Sequence, residues 1–218
     1  MNTAPDLKQL KSRARAVDRA LAKTYPDAGC ELAFMDPLQC LVSTILSAQT
    51  TDKAVNTVTP ALFKAFPTVE AFAAAEPADI EPYIKRLGLF RAKAKNIVAT
   101  ARALRDHYGS IVPDTIEELI KLPGVGRKTA NCVVLNAYGK PGLMCDTHFC
   151  RITRRLGFHD LEDPVKIEFA MAELLPPKSW GDFSHRIIIH GRRCCYARKP
   201  NCGECSLAKY CPSKNEMN

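Results

Sequence analysis

The sequence predicts an all-α fold, and three observations carry that expectation. Apolar residues recur at helical spacing in segment after segment, and aspartate–proline pairs such as Asp36-Pro37 and Asp163-Pro164 mark helix starts. No alternating run is long enough to make a convincing strand, and neither a fixed-period repeat nor a low-complexity linker interrupts the pattern.

The chain has 218 residues, 46% of them hydrophobic, which is enough to build one large core or two smaller ones. Thirty-one Lys and Arg stand against 23 Asp and Glu, and the resulting net charge of +8 suits a polyanionic partner as readily as it suits a merely solvated basic surface. No apolar run approaches the roughly 18 residues that span a bilayer, and the first residues are polar and charged. The expectation is a soluble, cytoplasmic protein with no membrane partner. In that setting ten cysteines point to metal ligation and buried thiols rather than disulfides.

Taken in order, Leu7, Leu10, Val17 and Leu21 share one face of a Lys/Arg-rich first helix that ends near Pro26-Asp27-Ala28-Gly29. Asp36-Pro37 opens a second, with Leu38, Leu41, Val42, Ile45 and Leu46 at the spacing of a buried face. A polar junction, Ser47-Ala48-Gln49-Thr50-Thr51-Asp52, leads to a helix carrying Val55, Val58, Leu62, Phe63 and Phe66, which Pro60 is expected to kink or shorten. Thr68 and Pro77 open two short helices, the second closing at Gly88, and Ala92 to His107 forms another, stopped by Gly109 and Pro113. Beyond a glycine-rich hairpin, helices are expected over 146–156, from Asp163-Pro164 to Leu175 with Pro176-Pro177 as its stop, and over 180–191.

The hairpin is the most informative stretch. Asp114-Thr115-Ile116-Glu117-Glu118-Leu119-Ile120 reads as a short helix with Asp114 at its N-cap and Glu117 three residues on. Leu122-Pro123-Gly124-Val125-Gly126-Arg127-Lys128-Thr129-Ala130 follows, then a helix from Thr129 to Tyr138. Gly124 and Gly126 permit backbone that other residues resist and leave bare N–H groups at the next helix start, a cradle suited to a phosphate. Lys128, in the first turn, reads simply as a phosphate-binding cation. The sharper alternative is an amine nucleophile: the helix dipole and neighbouring Arg127 both oppose its protonation, and a neutral amine can attack an electrophilic sugar carbon to form a Schiff base. Asp146 has the plain role of N-cap to the next helix, and as a carboxylate it can also take a proton or stabilise positive charge on a sugar ring. His148, alone in a first turn, reads as structural.

Cys195, Cys202, Cys205 and Cys211 lie within seventeen residues, in a segment too short and polar to form its own core. Four soft ligands imply a metal centre. Spacing leaves zinc and a four-iron four-sulfur cluster about even, because only Cys202 and Cys205 form a Cys-x-x-Cys pair, and it leaves Cys194 competing with Cys195 as first ligand. The other cysteines, Cys30, Cys40, Cys132, Cys145 and Cys150, are scattered and read as small buried hydrophobes. Arg198 and Lys199 lie in the loop between the first two ligands, where a metal pinning both ends would hold two cations against phosphates and so play a structural part.

Together these motifs resemble the endonuclease III family of DNA glycosylases in the helix-hairpin-helix superfamily. The resemblance runs from about Val17 onward. It rests on Leu122 to Asn131, on Asp146-Thr147-His148, on His190-Gly191-Arg192 and on cysteines spaced by six, two and five residues. It implies a [4Fe-4S] cluster on Cys195, Cys202, Cys205 and Cys211. It implies two helical domains, a six-helix barrel over 30–140 containing the helix-hairpin-helix (about 114–138) and a cluster domain from 1–29 plus 141–218 with its cluster loop at 195–211, with double-stranded DNA bound across the groove between them by a monomer.

The resemblance also assigns roles. Lys128 would attack the anomeric carbon of a damaged nucleotide with help from Asp146, the base would leave, and the Schiff base would undergo β-elimination to cut the strand. The base must first be flipped out, at a cost of a few kcal/mol of unstacking. Gln49 and Leu89 match the positions that fill the gap left in the stack, and Leu89 has the chemistry of an apolar wedge. Gly124, Val125, Gly126 and Arg127 would hold the backbone of the same strand. The chain departs from the pattern at Ile120, where many members carry a carboxylate.

Two rivals remain. One is a monofunctional adenine-type glycosylase, a branch in which a smaller or hydroxylated residue replaces the lysine and a further C-terminal domain is common. The other is a helix-hairpin-helix binding module without enzymatic activity, held together by zinc. The presence of both Lys128 and Asp146 favours the bifunctional enzyme.

Overall fold

The computed structural model describes residues 6–215. Its elements in chain order are α1 (Leu7–Thr24), α2 (Pro37–Leu46), α3 (Asp52–Ala65), α4 (Val69–Ala74), α5 (Pro77–Ile84), α6 (Phe90–Tyr108), α7 (Ile116–Leu119), α8 (Arg127–Tyr138), α9 (Thr147–Arg155), α10 (Pro164–Leu174) and α11 (Trp180–Arg193), with short 3₁₀ turns at Pro177–Ser179, Ala208–Tyr210 and Pro212–Asn215. Among the described residues there is no strand, and no helix is long and apolar enough to cross a membrane. The chain is all-α, and it divides into two compact units: Cys30–Lys140, and the segment ending at Gly29 together with Pro141 onward.

The Cys30–Lys140 unit has one core. Leu41, Ile45 and Leu46 of α2, Val55 and Leu62 of α3, Phe72 of α4, Ile80 and Ile84 of α5, Ile97 and Leu104 of α6, and Val133 of α8 all bury their side chains in it. Six helices of a turn and a half or more share this core, while α7 is a single turn attached to α8. Capping follows the side chains that the local sequence offers: Asp36 accepts from Gln39 N at 2.8 Å, and the Thr51 and Thr68 hydroxyls each accept from the N–H three residues on at 3.2 Å. Helix α3 runs through Pro60 to Ala65, so of the kink or shortening expected of the proline the shortening does not occur. Asp114 does not cap α7. Thr115 occupies that position, and Asp114 instead pairs with Lys140 Nζ at 2.5 Å, tying the start of the hairpin to the end of α8.

In the other unit, Ala14, Val17 and Leu21 of α1 pack with Phe149 and Ile152 of α9, Ile167 and Met171 of α10, and Phe183 and Ile187 of α11. Leu7 stays 46% exposed, so the apolar face of α1 begins a turn later than the sequence pattern implies. Polar ties fix the packing: Arg186 of α11 meets Asp18 of α1 at 3.2 Å with both side chains largely buried, and Arg13 donates to Gly157 O at 2.6 Å. Burial raises the Asp18 carboxyl above its ordinary range, and Arg186 opposes that rise.

Candidate functional site

The hairpin is built from backbone bonds that stop one helix and start the next. Leu122 N donates to Leu119 O and Val125 N to Leu122 O, each at 3.1 Å, and Ala130 N returns to Gly126 O at 2.9 Å to begin α8. Leu122 and Val125 are buried, which anchors the turn to the core below. Only Gly124 needs its missing side chain. Its φ is +73°, and a Cβ there would lie 2.6 Å from the Asn96 side chain. Gly126 sits at φ −86°, open to any residue, and a Cβ would meet nothing, so the conformational argument for two glycines holds for one. An alanine at 124 is therefore expected to cost about 2 kcal/mol or more of unfolding free energy through strain and clash, and one at 126 under about 1 kcal/mol. Equilibrium denaturation of the two variants measures the difference.

Lys128 stands at the second position of α8, exposed at its N-terminus, directly beyond the turn. Its charge reaches the half-buried Cys30 thiol, though burial and Cys132 outweigh that influence and push Cys30 up to about 11. Arg127 is half-buried, and its carbonyl accepts from Asn131 Nδ2 at 3.1 Å.

Gln49 and Leu89 belong to the same unit, both exposed and both in the left-handed region, at φ 53° and 57°. Leu89 is the N-cap of α6 and Gln49 lies in the turn after α2. A left-handed backbone is costly for a bulky non-glycine residue and is kept only where the surroundings impose it. Ile120, where the resemblance breaks down, is 43% exposed at the end of α7.

Asp146 belongs to the other unit. Its Oδ1 accepts from Phe149 N at 2.7 Å as the N-cap of α9, and its charge raises the Cys150 thiol, which burial already pushes up, to about 11. His148 packs against Gly191, where a Cβ would come within 2.7 Å of its Nδ1. Its Nδ1 lies 3.2 Å from Arg151 Nη2, and its side chain is half-buried.

The far end of α9 grips the cysteine loop. Arg151 donates to Cys195 O at 2.8 Å, while Arg155 donates to Tyr196 O at 2.7 Å, to Ala197 O at 2.9 Å and to Cys195 Sγ at 3.3 Å. Spacing alone had not marked these arginines. The one signal in the sequence was their i, i+4 placement on one helix. Arg198 and Lys199 are exposed on this loop, Lys199 in the left-handed region at φ 50°.

Cys195, Cys202, Cys205 and Cys211 line one small cavity of about 20 Å³, together with Cys194, Pro200 and Ala208. Burial raises the Cys211 thiol, and Cys195, Cys205 and Cys202 raise it further. Cys205 is likewise raised by burial, with Cys195 and Cys202 adding to it. Four sulfur donors lining one cavity are the donor chemistry of a metal or iron–sulfur group, which binds them as thiolates. The quartet fits such a group. A second arrangement competes with it: His190, Cys194 and Cys205 hold their ligand atoms within 4.8 Å of one another. His190 Nε2 lies 3.5 Å from Cys205 Sγ, a contact that suits an outer partner of a thiolate site as readily as a ligand.

Residues 195–211, bounded by Cys195 and Cys211, match the iron-sulfur binding domain of endonuclease III, and residues 42–177 match the HhH-GPD superfamily of base excision DNA repair proteins. Endonuclease III of Synechocystis is 48% identical over 204 residues, covering 93% of each chain, and that of Escherichia coli is 35% identical over 207 residues, covering 95% of this chain and 98% of its own. Among solved structures, a trapped covalent endonuclease III–DNA intermediate aligns with TM-score 0.90 at 39% identity, over 94% of this chain and 97% of that one. A thermostable thymine-DNA glycosylase aligns with TM-score 0.85 at 25% identity, over 94% and 98%. With a family model spanning most of its length, and relatives matched nearly end to end, this chain belongs to the endonuclease III family of HhH-GPD base excision DNA repair proteins.

Proposed function

We propose that the protein is a bifunctional DNA glycosylase and abasic-site lyase that removes oxidised pyrimidines of the thymine glycol type from double-stranded DNA, acting as a monomer on chromosomal DNA in the cytoplasm. The observation that carries this reading is Lys128, an exposed amine two residues beyond the Gly124–Gly126 turn at the start of α8, in a chain of this family. The bare N–H groups of that turn hold a phosphate of the damaged strand. Lys128 Nζ then bonds to the sugar C1′ as the glycosidic C–N bond breaks, and the departing base takes that electron pair and a proton. The C1′–O4′ bond then breaks, O4′ taking its electron pair and a proton, and an iminium is left between Nζ and C1′. Loss of a proton from C2′ expels the 3′ phosphate, and water releases the lysine.

Asp146 receives the proton that the amine gives up and offsets positive charge on the sugar. It also caps α9, and asparagine caps equally well, so the two roles separate. Asp146→Asn is expected to slow base release by roughly 10²-fold or more with stability nearly unchanged, whereas Asp146→Ala also loses about 1 kcal/mol of stability. Single-turnover kinetics beside thermal melts checks this.

Gln49 and Leu89 enter the gap left by the flipped nucleotide, and Arg127, Arg198 and Lys199 contact phosphates. The Cys30–Lys140 unit serves as the hairpin-bearing barrel domain and the other as the cluster domain. When bound at Cys195, Cys202, Cys205 and Cys211, a [4Fe-4S] cluster supplies a staple that fixes the 195–211 loop. Incision assays on duplexes carrying thymine glycol, an abasic site or mispaired adenine test the reading: the first two are cut and the third is not. Release of adenine without strand cleavage would instead support the monofunctional branch.

A further inference from the structure

Lys93 is a lysine where a core residue is expected. Only 3% exposed, it lies on the face of α6 that also buries Ile97, Thr100 and Leu104. Its Nζ donates to Thr50 Oγ1 at 2.6 Å, and no carboxylate faces it among the salt bridges of the described residues. Burial alone depresses its pKa below the ordinary lysine value. An ammonium has three donors, and burying it against a single neutral acceptor is unfavourable, so packing does not account for this residue.

What surrounds it does. Thr50 follows Gln49, and the Thr50 hydroxyl also lies 3.3 Å from Ala48 O, so the lysine–threonine contact braces the turn on both sides of Gln49. Lys93 N donates to Leu89 O at 3.0 Å, in the first turn of the helix that Leu89 caps. Both braced residues have left-handed backbones. The same stripe of α6 continues to Asn96, which packs against Gly124, and to Thr100, whose hydroxyl donates to Pro123 O at 2.5 Å. Residues 89, 93, 96 and 100 repeat at helical spacing over roughly 16 Å of axis, so one face of one helix holds the Leu89 cap, the Gln49 turn and the glycine hairpin in register.

We propose that Lys93 is a positioning residue: through Thr50 it ties the Gln49 turn to the start of α6 and so holds Gln49 and Leu89 at the separation needed to fill the gap opposite a flipped nucleotide. This rests on the gap-filling reading of those two residues. The bond contributes to recognition of an opened helix and little to general affinity for DNA, because a side chain this buried does not reach a phosphate.

The test compares full-length, cluster-loaded variants binding two otherwise identical duplexes, one undamaged and one carrying a tetrahydrofuran abasic analogue, with 2-aminopurine beside the analogue reporting the stack. Lys93→Met and Thr50→Val are each expected to weaken analogue binding about tenfold while changing undamaged binding by less than about twofold, and the double variant to do no worse than either single one. Thr50→Ser, which keeps the hydroxyl, restores wild-type binding and fluorescence. Equal losses on both duplexes, or additive losses in the double variant, overturn the proposal. If Gln49→Ala and Leu89→Ala bind the analogue like wild type, the gap-filling reading fails; if they weaken binding and Lys93→Met does not, the tie alone fails. Should Lys93→Met fail to fold, the Thr50→Val and Thr50→Ser pair decides the same question.

Discussion

Replacing Lys128 with glutamine is expected to abolish the covalent complex that borohydride traps between this protein and abasic-site DNA, and to lower strand incision by roughly 10³-fold or more. The size of the effect follows from the chemistry. Both base release and β-elimination run through one amine, so its loss removes every step at once instead of slowing one. Stability should change by less than about 0.5 kcal/mol, because the side chain is exposed and packs into no core. Affinity for undamaged duplex should fall only modestly, by the loss of one cation from a basic surface. Trapping, incision and melting temperature measured on one preparation separate these outcomes. A mutant that still traps would show that another amine is the nucleophile, and a mutant that fails to bind DNA at all would return Lys128 to a phosphate-holding role.

The second large effect concerns the cysteines. Wild-type protein is expected to be brown, with broad visible absorbance and about four irons per chain, whereas Cys211→Ala should be colourless with less than about one. The loop from Cys195 to Cys211 has little core of its own: among the described residues Leu207 is its one fully buried apolar side chain, Cys205, Tyr210 and Cys211 pack half-buried at the edge of the core, and Arg151 and Arg155 hold its first three residues. Ligand binding free energy is therefore folding free energy for this segment, and the cluster-free variant should be cut by protease within the loop. Arg198 and Lys199 lose their fixed positions with it, so the salt dependence of DNA binding should become shallower. Cys194→Ala discriminates between the two ligand sets. It leaves colour and iron intact if Cys195 is the ligand, and removes both if Cys194 is. A colourless wild-type protein containing stoichiometric zinc would overturn the cluster.

Much of this molecule was legible because the relevant physics is local. Helix starts at Asp36, Thr51, Thr68, Asp146 and Asp163 lie where a short polar side chain can accept from an N–H three residues on, and each of these side chains does so. The cysteine cluster is equally local as a signal for a metal centre, although its spacing left open which metal group it holds and whether Cys194 or Cys195 comes first. Local reasoning went astray where a long-range partner intervened. Asp114 has the pattern of a cap, but Lys140 lies within reach across the hairpin and takes its carboxylate. Pro60 removes one backbone donor from α3, yet Val55, Val58 and Leu62 are buried in the core on either side of it and the helix persists.

By itself the sequence determined the all-helical class, which is expressed in helical periodicity and capping within a few residues, and its motifs carried the resemblance to the family and through it marked Lys128, Asp146 and the four cysteines as candidates. Only the tertiary structure decided which glycine of the hairpin is irreplaceable, which arginines clasp the cysteine loop, and why a lysine lies within the apolar face of α6. The reason is the same in every case. Asn96 against Gly124, Arg155 against Tyr196 and Lys93 against Thr50 are pairs separated by 28 to 43 residues, and such a contact leaves no periodic trace in either partner's own neighbourhood.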